Sequence, residues 1–248
     1  MDIAWEETMP RQEVLILAVT KMLSGVCTAG MTTERDPVTG LKWVRPVKDF
    51  GTLLLGDLTG RRGTVICPFD VVELKLVKPR TDPPHVEDWV TDFVRHRPCI
   101  VRQLEGERRA NFLSKYLDEN PHEVLDRRSR SLCLVKPNQV KASFSLDAYS
   151  GKYEARLAFT LGAQAYRGSM RKGGQPVTDV KWRALGREWL GSGGRLDYEE
   201  DELRDRLGVE DFYLALGLSR SYKGEYWLLV LGVHTVPDYE VEVDYGNL

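Results

Sequence analysis

Short β-forming runs, each closed by a strong turn, crowd the first 80 residues, and this spacing more than anything else limits the folds open to the chain. EVLILAVT at 13–20 is rich in branched residues and bounded by polar ones, as in a buried strand. KMLSGVCTAG at 21–30 carries small residues and two glycines, which suit a curved strand or a bulge. RDPVTG at 35–40 is a turn, and KWVRPV follows as a third strand that Pro46 is expected to push to a sheet edge. TVICPFDVVELKLV at 64–77 supplies one or two more strands, separated at Pro68, with Val72, Leu74 and Leu76 alternating against Glu73 and Lys75. Runs this short and this close together predict a small barrel.

After Pro83 and Pro84 the pattern changes. Val86, Trp89, Val90 and Phe93 recur at helical spacing, so a helix is expected there. RHRPCIVRQL at 95–104 reads as a basic turn and a strand, followed by a helix at about 107–118 and a short one opening at Asn120-Pro121-His122-Glu123. From Ser131 the β pattern returns in SLCLVKP, QVKASFSLD and KYEARLAFTLG, the last with Tyr153, Ala155, Leu157 and Phe159 on one face. VKWRALGREWL is an amphipathic helix capped by Thr178 or Asp179, GSGG at 191–194 a flexible loop, and DYEEDELRDRLG an acidic helix with an Asp197/Glu200 capping box and Gly208 at its end. FYLALGLS and EYWLLVLGV close the chain as strands joined by an RSYKG hairpin. The fold class is mainly β with helical insertions (α+β). Its expected division is a first barrel over 11–84, a helical connector over 85–130 and a second barrel over 131–248, with a helical insertion at about 179–208.

A hydrophobic fraction of 42% and a charged fraction of 29% describe an ordinary soluble globular chain with an adequate core. The net charge of -2 excludes a globally basic binder but not a local patch. Cys27, Cys67, Cys99 and Cys133, like the four histidines, are scattered without metal-ligand spacing, so no cofactor or metal is expected. MDIAWEETMP is not a secretory signal and YWLLVLGV at 226–233 is too short to span a bilayer; a cytoplasmic protein with free thiols and no membrane partner is expected.

Charge is segregated along the chain. Residues 127–187 hold thirteen Lys or Arg against three Asp or Glu, whereas 188–211 hold three against nine. Within the basic segment Tyr149, Tyr153, Phe159 and Tyr166 alternate with Lys152, Arg156, Arg167, Arg171 and Lys172, the mixture a groove for single-stranded nucleic acid needs: cations for phosphates, rings for bases. The alternative is that the acidic 197–205 helix folds over these strands and neutralises them. In the first half, Trp43 and Arg45 are two apart on one strand face, a stacking and phosphate pair unless Trp43 lies in the core with Arg45 snorkelling over it. Catalytic motifs are lacking: there is no phosphate-binding loop, nucleophile elbow or recognised nuclease set. Asp70 and Glu73 in FDVVELK are the weak candidates for a metal-dependent nuclease.

LAVTKMLSGVCTAG, KWVRPV, FDVVELKLVKP with His85, Glu87 and Trp89 after it, LCLVKPNQVKASF, KYEARLAF, Tyr166, VTDVKW and LGLSRSYKGEYWLLVLGV together resemble the dual OB-containing domain family over most of the chain. The resemblance implies two OB-like barrels in a prokaryotic protein of defence or nucleic-acid processing, and no catalytic residues. Lys21, Trp43 and Arg45 match its motifs in the first half; Thr178, Asp179 and Trp182 match in the second. The expected function is a non-enzymatic module that binds single-stranded DNA or RNA beside a partner enzyme such as a nuclease or helicase. Its interface is expected at Lys21, Trp43, Arg45, Lys152, Tyr153, Arg156, Tyr166, Arg167, Arg171 and Lys172. The alternative is a protein-interaction scaffold.

Overall fold

The structure, a computed structural model, describes residues 11–34, 42–147, 149–168 and 173–247. The first half supplies β1 (Gln12–Met22), β2 (Gly25–Thr32), β3 (Trp43–Val47), β4 (Asp70–Leu74), β5 (Leu76–Pro79), β6 (Asp88–Thr91) and β7 (Cys99–Gln103). They form one curled sheet in the order β5-β6-β3-β2-β1-β4-β7. β1 and β2 are an antiparallel hairpin whose register slips between Ile16 and Ala18, the bulge that bends the sheet. Gly30 lies beside that bulge, where an added Cβ would come within 2.1 Å of the Leu15 carbonyl oxygen, so only glycine fits.

β3 is not an edge strand as Pro46 implied. Val44 pairs with Gly30 of β2, and then Arg45, Pro46 and Val47 run parallel to Asp88, Trp89 and Val90 of β6. The proline, which has no N–H to offer, falls after the strand has left β2. The helix expected over 86–93 is β6 instead, flanked by β3 and β5. Four apolar residues are too few for periodicity to separate a helix from a strand, and Asp88, Val90 and Thr91 are all buried by tertiary partners.

α1 (Gly106–Lys115) and α2 (His122–Leu125) lead into the second half. There, β8 (Leu132–Val135), β9 (Gln139–Leu146), β10 (Tyr153–Leu161), β11 (Gln164–Tyr166) and β12 (Gln175–Pro176) precede α3 (Val180–Leu190). β13 (Arg195–Tyr198), α4 (Glu200–Leu207), β14 (Asp211–Leu218) and β15 (Leu228–Val236) complete it. One sheet runs β11-β10-β9-β13 with β12 also on β10; the other runs β15-β14-β8. α3 closes the core between them: Trp182 is fully buried, edge-on to Tyr239 at 5.7 Å and tilted against Phe144 at 5.8 Å. Asp179 rather than Thr178 caps α3, its carboxylate accepting from the Lys181 N–H at 2.9 Å. The cap of α4 is two residues later than expected. Arg195–Tyr198 is drawn into pairing with β9, so the Glu202 carboxylate meets the Glu199 N–H at 2.9 Å, while Gly208 ends the helix at φ 65° as anticipated.

The two halves share a core. Thr178 is a backbone rung between them, donating to the Val230 carbonyl at 2.9 Å and accepting from the Lys21 N–H at 2.8 Å. Leu15, Leu17 and Phe69 of the first half pack with Leu134 and Tyr213 of the second. Glu87 is buried and accepts from the Ser131 N–H and hydroxyl, both at 2.8 Å, and from the Leu132 N–H at 3.1 Å. After β15 the chain returns to the first half, where Val243 and Tyr245 pack on its core.

Candidate functional site

The strand alternation of the second half separates the rings from the cations. On β10 the odd residues Tyr153, Ala155, Leu157 and Phe159 point into the core and the even ones point out. Tyr153 is buried with its hydroxyl on the Arg183 carbonyl at 3.0 Å, and Tyr166 is stacked on Phe159 at 4.9 Å and 15°. Neither presents a free ring to a base, which corrects their expected part in a stacking groove. The outward cations meet carboxylates: Lys152 and Arg156 meet Glu154 at 3.2 and 3.1 Å, and Arg195 meets Asp197 at 2.8 Å. Lys141 meets Glu199 at the start of α4, so the acidic excursion takes up part of the basic segment's charge and Glu154 takes up another. Arg167 is exposed and its carbonyl accepts from the Gly174 N–H at 2.7 Å. Arg171 and Lys172 lie outside the described residues.

In the first half Arg45 is buried, its Nε donating to Asp88 at 2.6 Å. Trp43 is half-buried between the halves, against Leu132 and Leu231. The exposed stacking and phosphate pair expected of these two residues is therefore corrected: the tryptophan is inter-half packing and the guanidinium is spent inside. Lys21 is half-buried at the end of β1. The nuclease candidates are also engaged, since Asp70 accepts from the Cys67 N–H at 2.8 Å and Glu73 pairs with Arg11. Among the described residues no three His, Cys, Asp or Glu side chains cluster to hold a metal.

What Asp88 does with its second oxygen leads to a site the sequence reading passed over. That oxygen takes the guanidinium of Arg220, at the root of the β14–β15 hairpin. His85 donates from Nε2 to the Ser219 carbonyl at 3.1 Å, and its ring meets Tyr226 edge-on at 5.9 Å. The hairpin of the second half is thus seated on β3 and β6 of the first. Its tip turns through Lys223 and Gly224, both at positive φ, 54° and 82°. Tyr222 is 60% and Trp227 48% exposed, their rings 5.8 Å apart and tilted by 38°, with the Lys223 ammonium 5.4 Å from the Tyr222 centroid. RSYKGEYW holds three aromatics and two cations in eight residues, a density that was the available signal. Thr178 links Val230, on this hairpin's second strand, to Lys21 through its backbone.

Burial at the seam makes the fold acid-sensitive. Desolvation, with the nearby Arg45 and Arg220 charges, lowers His85 to about 4, and desolvation with Arg109 lowers His234 to about 3. Desolvation raises Asp179 to about 6. Both histidines sit below their unfolded value of about 6.5, so the stability they contribute is complete above that pH and is lost as the unfolded chain takes up protons first. Asp179 has the opposite sign and returns some stability below about pH 6. The net expected loss between about pH 7.5 and about pH 5.5 is about 2 kcal/mol. Urea unfolding at the two pH values checks it, and a flat profile contradicts the burial of both imidazoles.

A family model described as Dual OB-containing domain matches residues 12–233. No curated protein and no solved structure matches the chain.

Proposed function

The chain belongs to the Dual OB-containing domain family, and from that membership we propose that it is a non-enzymatic module binding single-stranded nucleic acid. OB folds bind ligands on one sheet face and the loops beside it. The observation that carries the reading here is the exposed Tyr222–Trp227 pair with Lys223 and Arg220 beside it. Exposed rings beside cations are a platform on which unpaired bases stack without a sequence requirement. In this reading the module serves a nuclease or helicase in a prokaryotic defence or nucleic-acid-processing system and works in the cytoplasm. No helix among the described residues is long and apolar enough to cross a membrane.

Fluorescence anisotropy with labelled single-stranded DNA and RNA tests the proposal. Binding should fall steeply with salt. Tyr222→Ala with Trp227→Ala should weaken it about ten- to a hundredfold, from about 1–3 kcal/mol per stacked base. Absence of binding at low salt sinks the reading. A second reading, a protein scaffold, is favoured by the exposed apolar residues Leu23, Phe50 and Leu54 on two loops of the first half that the Thr52 hydroxyl joins at the Ser24 carbonyl. It predicts a complex in native pull-down that Leu23→Ser with Phe50→Ser abolishes and that nucleic acid does not affect.

A further inference from the structure

A cleft of about 410 Å³ opens where the two halves meet the C-terminal run. Two cations line it, Arg109 from α1 and Lys181 from α3, and one carboxylate, Asp238, bridges them at 2.9 and 3.0 Å. The two sides of this bridge are unlike. Arg109 is only 5% exposed, lies 4.3 Å over the Phe69 ring and donates to the Thr235 carbonyl, yet its buried Nε–H has no acceptor. Asp238 has a side chain 40% exposed and lies on a stretch that belongs to no helix or sheet. A permanent internal partner for a buried guanidinium is ordinarily buried with it, as Asp88 is with Arg45.

The start of α1 adds a third attraction for an anion at the same wall. Glu105 and Gly106 line the cleft, and the helix opens there without a side-chain cap, so the positive end of its dipole lies at this wall. The ten-residue helix and two convergent cations form an anion-binding corner that the chain's own Asp238 carboxylate fills. Glu105, Glu240 and Asp179 also line the cleft, the last with its carboxylate already taken by the Lys181 and Val233 N–H groups. These carboxylates disfavour a bare polyanion there, and Glu105 and Glu240 offer acceptors for hydroxyl groups.

We propose that this cleft binds a phosphate monoester, the phosphate taking the place of the Asp238 carboxylate between Arg109 and Lys181 while Glu105 and Glu240 accept from the hydroxyls of the esterified group. The monoester is either a free small molecule or the phosphorylated end of a nucleic-acid strand. Isothermal titration separates the two, with inorganic phosphate, a nucleoside monophosphate, and one oligonucleotide carrying a 5′-phosphate or a 5′-hydroxyl as titrants. Asp238→Asn removes the competing charge and should bind inorganic phosphate about tenfold more tightly than the wild type, equivalent to about 1.4 kcal/mol. Lys181→Met should bind it about tenfold more weakly. Preference for the nucleoside monophosphate supports a small ligand, and discrimination between the two oligonucleotides supports a strand end. If Asp238→Asn fails to fold, wild-type protein carries the test: phosphate must raise its melting temperature, and Lys181→Met must abolish the rise. No saturable binding in the millimolar range by folded Asp238→Asn, or no phosphate-dependent rise in the wild type, overturns the proposal. Inorganic phosphate has no base to stack, so this outcome is independent of whether the Tyr222–Trp227 hairpin binds nucleic acid.

Discussion

Asp88→Ala destabilises the protein by about 3–5 kcal/mol, the expected cost of leaving a buried charge without its partner. Asp88 is the carboxylate that the buried Arg45 guanidinium faces, and the Arg45 Nη2 already lacks a partner. The same substitution releases Arg220, so the β14–β15 hairpin loses one of its ties to the first half and keeps that through His85. Urea unfolding gives the first effect. The second appears as loss of protection in hydrogen exchange across 219–227, larger than at the β1–β2 turn. The control is the double change Asp88→Leu with Arg45→Met, which removes both charges. It should be less destabilising than Asp88→Ala, because no uncompensated ion is left behind. A double variant as unstable as the single one means that packing, and not charge, accounts for the loss.

Trp182→Ala is expected to cost about 3–5 kcal/mol, the usual range for truncating a fully buried tryptophan. The side chain fills the space among Phe144, Tyr239 and the sheets of the second half. Gly186, one turn along α3, leaves no slack for collapse: an added Cβ there would lie 2.1 Å from Phe144 Cδ1. Trp182→Phe keeps most of the volume and should cost less than half as much. Equilibrium unfolding of both variants checks the ordering, and a loss under about 1 kcal/mol for Trp182→Ala would mean that the site closes up after truncation.

These residues show how the family motifs divide. Trp182 was legible as part of the buried face of a helix, and the helix cap was legible as Thr178 or Asp179, because both follow from local spacing; the structure chose Asp179. Arg45 was legible as a cation reaching solvent or a ligand, whereas it is buried, and His85 and Glu87 only as motif letters. Their partners, Asp88, Ser219 and Ser131, are brought to them by β6, β14 and β8, and no local pattern announces such pairings. The stretch 86–93 misled for the same reason. Its helical spacing is real, but the hydrogen bonds of β3 and β5 on either side decide a run of four residues. The aromatic hairpin is visible in the sequence only as composition, because exposure of Tyr222 and Trp227 depends on where the hairpin is seated.

By itself the sequence determined what depends on neighbours along the chain: the mainly β character, the inward face of β10, the helix α3 and the αL end of α4, and the family. The alternation on β10 even held the evidence that Tyr153 and Arg156 face opposite ways, since a two-residue period allows nothing else. Only the tertiary structure decided which charges are spent and which are offered. Arg45 and Arg220 are both arginines beside aromatics in sequence and both pair with Asp88, but the inter-half seam buries Arg45 and leaves Arg220 half-exposed beside Tyr222 and Trp227. Burial is set by what packs from the other half, and desolvation then determines whether a cation binds inside the fold or is available to a ligand.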